Sequence, residues 1–151
     1  MTKTLLTSDQ LSKLINECIQ DLQAGGGAKL ADFAAMMQCL AEATGTDIYY
    51  IVPQVVGGFM NETLLFRQLI SIPILEKTTR LGHQKKLEDA IKSGIESLKV
   101  YEKEFCQNKK PDYVKVVKAT AAMTRSGYGL YQIRESILGT RPRTPSSGEG
   151  T

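Results

Sequence analysis

The stretch LLTSDQLSKLINECIQDLQ, residues 5 to 23, decides the fold class, because its apolar side chains recur with the period of an α-helix. Thr7 or Ser8 can accept hydrogen bonds from the first free amides as an N-cap. The glycines at 25–27 have maximal backbone freedom and end the helix. The apolar side chains fall at i, i+3, i+4, i+7, i+8 and i+11, so they share one face: Leu11, Leu14, Ile15, Cys18, Ile19 and Leu22.

The same period continues in the next segments. A second helix is predicted over 28–45, with Gly45 as the residue that ends it. Residues 47–60 are strand-like in composition at IYYIV, but in a helical chain we expect a short helix kinked at Pro53. A fourth helix is predicted to be capped by Asn61 and to kink or end at Pro73. The inward positions predicted for the second helix are Leu30, Phe33, Ala34, Met37, Leu40 and Ala41, and for the fourth Leu64, Leu65, Gln68 and Leu69.

The last third of the chain is also helical in pattern. Residues 83–107 predict a long helix, and Pro111 suits the first turn of the next one. Two further helices are predicted over 112–126 and 130–138, separated by Gly127 and Gly129. The apolar seam predicted for the long helix is Leu87, Ile91, Ile95, Leu98 and Phe105.

Together these segments predict the fold class and the domain organisation. Alternating strand patterns do not persist, so the class is all-α, a compact bundle of about five to seven helices. At 151 residues with 42% hydrophobic content, the chain can bury a core as one domain, predicted over 1–139. Residues 140–151 are rich in Pro, Gly and Ser and predict a flexible tail.

Charge is distributed unevenly along the chain. Residues 1–75 carry four basic and seven acidic residues, a net charge of −3, whereas residues 76–151 carry fifteen and nine, a net charge of +6. A basic half indicates a polyanionic partner. The three cysteines are odd in number and far apart, which favours a reducing compartment. With no signal pattern and no apolar run long enough to span a membrane, we expect a cytoplasmic protein without a membrane partner.

Catalytic, cofactor and metal sites are not predicted. His83 is the single histidine, and the sequence places neither an orienting partner nor a substrate site beside it. Three scattered cysteines and one histidine do not have the clustered spacing of a zinc site. GGGAKLAD at 25–32 lacks the phosphate-loop pattern and follows a helix instead of a strand. We therefore expect no enzyme activity and no cofactor.

The stretch PDYVKVVKATAAMTRSGYG, residues 111–129, carries the strongest functional signal. At about 100° per residue, Lys115, Lys118 and Arg125 lie on one narrow helix face, and no acidic residue follows Asp112 until Glu135. Nucleic-acid phosphates would neutralise the charges of such a face, and the counterions released from the phosphates would favour binding. A protein partner and a plain solvated face remain alternatives. The candidate nucleic-acid-binding residues are Lys115, Lys118, Arg125, Lys109, Lys110 and Arg134.

Two other features bear on the binding mode. Lys85, Lys92, Lys99 and Lys103 form a stripe on the long helix, but nearby glutamates neutralise it, which favours a solvated face. Tyr128 and Tyr131 lie near the basic face, and each is equally compatible with a buried position in the core and with contact to a ligand. Aromatic residues make up only 7% of the chain. The predicted mode is contact with the nucleic-acid backbone, independent of base sequence.

Two stretches resemble one family. LLTSDQLSKLINECIQDL at 5–22 resembles the opening helix of the small helical subunits of class 1 CRISPR effector complexes, and YVKVVKATAAMTRSGYG at 113–129 resembles their closing helix. DIYYIVPQVVGG at 47–58 lacks the basic residue expected in the middle of such a subunit. The resemblance implies a subunit without an active site, present in several copies beside other subunits of a ribonucleoprotein. It also implies phosphate contacts to a guide–target duplex or a displaced strand.

Two rival readings stay open. The chain is also compatible with a small helical coat or nucleocapsid protein of a virus or phage, whose tail at 140–151 would become ordered on assembly. The other rival is a helical adaptor that binds only protein, with IYYIVPQVVGGFM at 48–60 as its apolar docking patch.

Overall fold

A computed structural model describes residues 8–73 and 76–139, and within them it contains five α-helices and no strand. The helices are α1 (Ser8–Ala24), α2 (Leu30–Thr44), α3 (Ile48–Ile70), α4 (Lys77–Glu102) and α5 (Tyr113–Leu138), and a π-helical turn, Lys103–Gln107, extends α4. The predicted all-α class is confirmed. The tail predicted at 140–151 lies outside the described residues.

Helix α1 buries the whole apolar face that its sequence predicts. It ends at Ala24, and Gly25 has a φ of 82°, a left-handed conformation that favours glycine. The last carbonyls of α1 accept hydrogen bonds from another helix, since Nη2 of Arg67 donates to the oxygens of Leu22 and Gln23 at 3.2 and 3.3 Å. An arginine of α3 thus caps α1, which has no basic residue in its own last turn.

Helix α2 follows the prediction closely. Gly45 has a φ of 69°, and its N–H donates to the carbonyl of Ala41. At the other end, the carboxylate of Asp21 accepts a hydrogen bond from the backbone N–H of Lys29 at 2.8 Å. Of the predicted inward face, Phe33, Met37 and Ala41 are buried, and Leu30, Ala34 and Leu40 are partly buried.

Helix α3 replaces two predicted helices, a short kinked one over 47–60 and a separate one from Asn61 to a kink or end at Pro73. It runs unbroken for 23 residues, with Pro53 in its second turn and Asn61 exposed in its middle, so the predicted cap at Asn61 is wrong. Gln68, predicted to face inward, is exposed. Burial against α2, α4 and α5 outweighs the missing N–H of Pro53, because packing of an apolar face supplies most helix stability in proteins. The helix does end before Pro73, as predicted.

Helices α4 and α5 form an antiparallel pair. The seam predicted for α4 is confirmed, with Leu87 and Leu98 buried and Ile91, Ile95 and Phe105 partly buried against the core. Ser97 donates a hydrogen bond to the carbonyl of Ala119 at 2.9 Å. The ion pair on the outer lysine stripe joins Lys85 to Asp89 at 3.8 Å.

The break predicted in α5 at Gly127 and Gly129 is wrong. The helix continues for 26 residues to Leu138, and Gly139 follows with a φ of 64°. Gly127 is buried where α5 crosses α3, and a Cβ there would lie 3.5 Å from Cδ1 of Phe59. That distance is an ordinary van der Waals contact, so Gly127 is a buried interior residue of α5 and does not interrupt the helix.

Candidate nucleic-acid interface

Helix α5 positions the candidate site because it presents three distinct faces. Its buried face packs on α3 and α4 and consists of Val116, Ala119, Thr120, Met123, Gly127 and Leu130. Its basic edge is formed by Lys115, Lys118 and Arg125. Its tyrosine face is largely apolar and consists of Val114, Val117, Thr124, Tyr128 and Tyr131, all exposed. The helical period separates the basic edge and the tyrosine face by about a quarter-turn.

The structure places five of the six predicted site residues in solvent. Lys115, Lys118 and Arg125 are exposed on the basic edge, and Lys109 and Lys110 are exposed in the loop that leads into α5. Among the described residues, none of these five side chains makes an ion pair. Five positive charges at one end and edge of the α4–α5 pair are thus exposed and not engaged in an ion pair within the part of the chain that the structure describes.

Arg134 stands apart from the other predicted cations. Its guanidinium donates to the Glu62 carboxylate from Nε to Oε1 at 3.3 Å and from Nη2 to Oε2 at 2.9 Å. Only 17% of its side chain is exposed, and Glu135 approaches Nη1 to 3.5 Å. These hydrogen bonds to Glu62 raise the pKa of Arg134. Its charge is therefore balanced within the molecule, and it does not join the basic edge.

The loop that carries Lys109 and Lys110 is held by a buried carboxylate. Oε1 of Glu104, in the π-helical turn, accepts hydrogen bonds from Nδ2 of Asn108 at 2.8 Å and from the backbone N–H of Asp112 at 2.9 Å. The bond from Asp112 is the main reason that the pKa of Glu104 is lowered. Asp112 in turn caps α5, since its side chain accepts from the amides of Val114 and Lys115. These contacts fix the loop relative to the basic edge.

A groove between α4 and α5 lies beside the basic edge. Its cavity of about 380 Å³ has a floor of small residues, and the residues around it are Ser93, Glu96, Ser97, Val100, Lys103, Glu104, Lys115, Lys118, Ala119 and Ala122. Small side chains permit close approach of an extended backbone. The lysines supply ammonium donors, and Glu96 and Glu104 place negative charge at the same groove, so an approaching polyanion would follow the α5 side.

The two tyrosines near the basic edge are surface residues, so they are not part of the core. Tyr128 and Tyr131 are 59% and 40% exposed. Their rings stack with centroids 5.9 Å apart and an interplanar angle of 25°. Beside them, an apolar cavity of about 450 Å³ opens between α3 and α5.

Other features of the described residues add no chemistry to this site. No group of three or more histidine, cysteine and acidic residues could hold a metal ion in this part of the chain. His83 is half-buried and lies edge-on to Phe66, with ring centroids 6.2 Å apart. None of the described helices has the length and apolar character needed to cross a membrane.

Comparison with models of known protein families, with curated proteins and with solved structures finds no match to this chain. The resemblance to small subunits of class 1 CRISPR effectors therefore stays a prediction from the sequence.

Sequence reasoning missed two side chains that shape the site. Glu62 holds Arg134, and Glu104 holds the loop before α5. Neither has a local signal, because their partners lie 72 and 8 residues away in the chain and depend on helix packing or on the turn. The exposure of the two tyrosines has no local signal either, because it depends on which side of α5 the neighbouring helices leave uncovered.

Proposed function

We propose that this chain is a non-catalytic nucleic-acid-binding subunit of a larger assembly. The observation that carries the proposal is a set of five exposed cations that make no ion pair with any described residue: Lys109, Lys110, Lys115, Lys118 and Arg125. Leaving like charges unpaired on one helix edge is unfavourable, and a phosphate backbone would neutralise them with release of counterions. The contacts expected are to the backbone and are independent of base sequence.

The resemblance seen in the sequence narrows the kind of assembly. We propose a subunit like the small subunits of class 1 CRISPR effectors, which stabilises a guide–target duplex or a displaced strand beside other subunits and copies of itself. The uneven charge of the chain supports one orientation of such a subunit in its complex. The basic half, with α4 and α5, would face nucleic acid, and the acidic half, with α1 to α3, would face protein. A ribonucleoprotein of this kind would be active without any catalytic residue in this chain.

A protein-only adaptor is the second candidate, and an exposed apolar surface favours it. Ile51, Val114 and Val117 are 46%, 63% and 54% exposed, and they lie on α3 and α5, the two helices that line the apolar cavity. Exposed apolar side chains on two packed helices would supply the apolar contact area of a protein-binding surface. This surface is compatible with the first candidate too, because an assembly subunit needs contacts to its neighbours.

The test is binding of fluorescent single-stranded and duplex DNA and RNA, followed by anisotropy while the salt concentration is varied. The decisive variant carries Lys115→Glu, Lys118→Glu and Arg125→Glu. The matched control carries Lys85→Glu, Lys92→Glu and Lys99→Glu, the same change in net charge on α4. We expect the first variant to bind at least about tenfold more weakly, with the slope of log affinity against log salt reduced by about 2 to 3.

The control variant should keep most of its affinity. Equal affinity in a folded basic-edge variant would remove α5 from the interface. Absence of any binding by the wild-type chain, alone or mixed with its ribonucleoprotein partners, would overturn the proposal and leave the adaptor as the better candidate.

A further inference from the structure

Tyr128 ends a short stack of side chains on the surface of α5. Tyr131 lies one turn after Tyr128 and one turn before Arg134, and the guanidinium carbon of Arg134 is 5.3 Å from the centre of the Tyr131 ring. The ring of Tyr131 is therefore held between two neighbours. Tyr128 has one stacking partner among the described residues and is 59% exposed, so it offers an aromatic face to solvent.

The stack is anchored to a second helix. Arg134 is fixed by two hydrogen bonds to Glu62 of α3, and both side chains are more than four-fifths shielded from solvent. A cation over an aromatic ring adds a further attraction. The two tyrosine rings are thus positioned before any ligand binds, which reduces the conformational entropy that binding must remove.

The cavity beside the stack is apolar and has an open floor. Val55, Phe59 and Met123 line it with the two tyrosines, and Glu62 is the single charged residue among the described residues that line it. Gly58 and Gly127 contribute no side chain, and a Cβ on Gly58 would meet nothing within 4 Å. Its volume of about 450 Å³ lies in the range of about 300 to 1,000 Å³ found for small-ligand pockets.

The basic edge runs alongside this aromatic surface. Arg125 precedes Tyr128 by three residues, a spacing that places two side chains next to each other on a helix. Lys118 lies two turns before Arg125 on the same edge. A phosphate backbone that follows the basic edge would therefore have its bases directed to the tyrosine face. An apolar protein side chain would fill the cavity equally well, but it would leave these neighbouring cations without a partner.

We propose that Tyr128, supported by Tyr131, is a base-stacking platform for single-stranded nucleic acid, with the cavity between α3 and α5 receiving an unstacked base. This inference rests on the proposed function and specifies its ligand. Every base has a π face, so stacking adds affinity without sequence preference. In a duplex the bases are already paired and stacked, so the platform favours single strands.

The experiment compares three fluorescent ligands of equal length: a single strand, an abasic single strand with the same number of phosphates, and a duplex. Tyr128→Ala removes the platform, and Tyr128→Phe keeps the aromatic face. Tyr50→Ala is the matched control, because it removes an exposed tyrosine on α3. Circular dichroism confirms that each variant is folded.

We expect Tyr128→Ala to lower affinity for the intact single strand by about 5- to 100-fold and to leave the abasic strand and duplex within about twofold. Tyr128→Phe and Tyr50→Ala should bind like the wild type. Equal wild-type affinity for intact and abasic strands, together with no effect of Tyr128→Ala, would overturn the platform while the proposed function stood. Lack of binding to all three ligands would instead refute the proposed function and the platform together.

Discussion

Arg134 of α5 donates two parallel hydrogen bonds to the carboxylate of Glu62 of α3, although the two residues are 72 positions apart in the chain. Their side chains are 17% and 18% exposed, so water screens the pair only weakly. The pair links the central helix to the last one at the edge of the apolar cavity. Because Arg134 is held in this pair, it does not join the other five cations predicted to bind nucleic acid.

Removing this pair should destabilise the fold. Glu62→Ala leaves Arg134 without its main acceptor, and we expect the free energy of unfolding to fall by about 1 to 2 kcal/mol, between the ranges for exposed and fully buried pairs. The measurement is urea unfolding followed by circular dichroism. Glu135→Ala is the matched control, because Glu135 is one-third exposed and approaches Arg134 only to 3.5 Å. If Glu135→Ala lowered the free energy of unfolding as much as Glu62→Ala, that result would contradict the assignment of Glu62 as the main acceptor of Arg134.

Gly94 should be the least tolerant of the interior glycines. It is buried on α4 opposite α3, and a Cβ there would lie 2.3 Å from Cε2 and 2.7 Å from Cζ of Phe59. Gly94→Ala should therefore lower the free energy of unfolding by about 1 to 3 kcal/mol through overpacking. Gly82→Ala, in the same helix with nothing within 4 Å of its Cβ, should raise it by about 0.5 to 1 kcal/mol. Thermal or urea melts of the two variants that shift in the same direction would count against this packing.

Periodicity predicted the helices well where one face is apolar throughout, and failed where a neighbouring helix decides the outcome. The six apolar positions of α1 are all buried, because a local pattern is sufficient to define its face. Gly127 suggested a break, yet it is buried inside the continuous helix α5 where that helix packs on Phe59. Pro53 suggested a kinked segment, yet α3 is packed on three sides and continues. These outcomes depend on tertiary contacts that local propensity does not contain.

The candidate site was predictable to a similar extent. Lys115, Lys118 and Arg125 share an exposed edge as their spacing indicated. The pairing of Arg134 was not predictable, since Glu62 is brought to it only by the packing of α3 against α5. The solvent position of Tyr128 also depends on which side of α5 remains uncovered by its neighbours.

The three thiols should react at very different rates. Burial raises the pKa of Cys18 to about 12 and that of Cys106 to about 11. At pH 8 only about one Cys18 in ten thousand would be a thiolate, the reactive form. Cys39 is exposed. We therefore expect one fast equivalent of an alkylating reagent per native chain and three after denaturation, measured by mass spectrometry.

Cys39→Ser is the control for the thiol assignment, because it should remove the fast equivalent without changing the two slow ones. Fast labelling of Cys18 in the native protein would show that the α1 face is not buried as described.

Glu104 should make stability depend on pH. Its carboxylate is buried, and hydrogen bonds from the Asp112 N–H and Asn108, with the charge of Lys115 nearby, lower its pKa in the folded state. The unfolded state therefore binds a proton first as the pH falls. The stabilisation is fully present above the ordinary glutamate pKa of about 4.3 and is lost as the pH falls through the lower folded pKa.

The Glu104→Gln variant tests this dependence, because glutamine keeps the shape and one acceptor but lacks the charge. We expect the variant to be less stable than the wild type near neutral pH. The difference in unfolding free energy should shrink as the pH falls below the ordinary glutamate pKa of about 4.3. Urea unfolding at a series of pH values measures the difference. Glu96→Gln, at an exposed position of α4, should show little of this pH dependence. A difference for Glu104→Gln that stays constant across the acid range would mean that the carboxylate is not held as an anion by the loop.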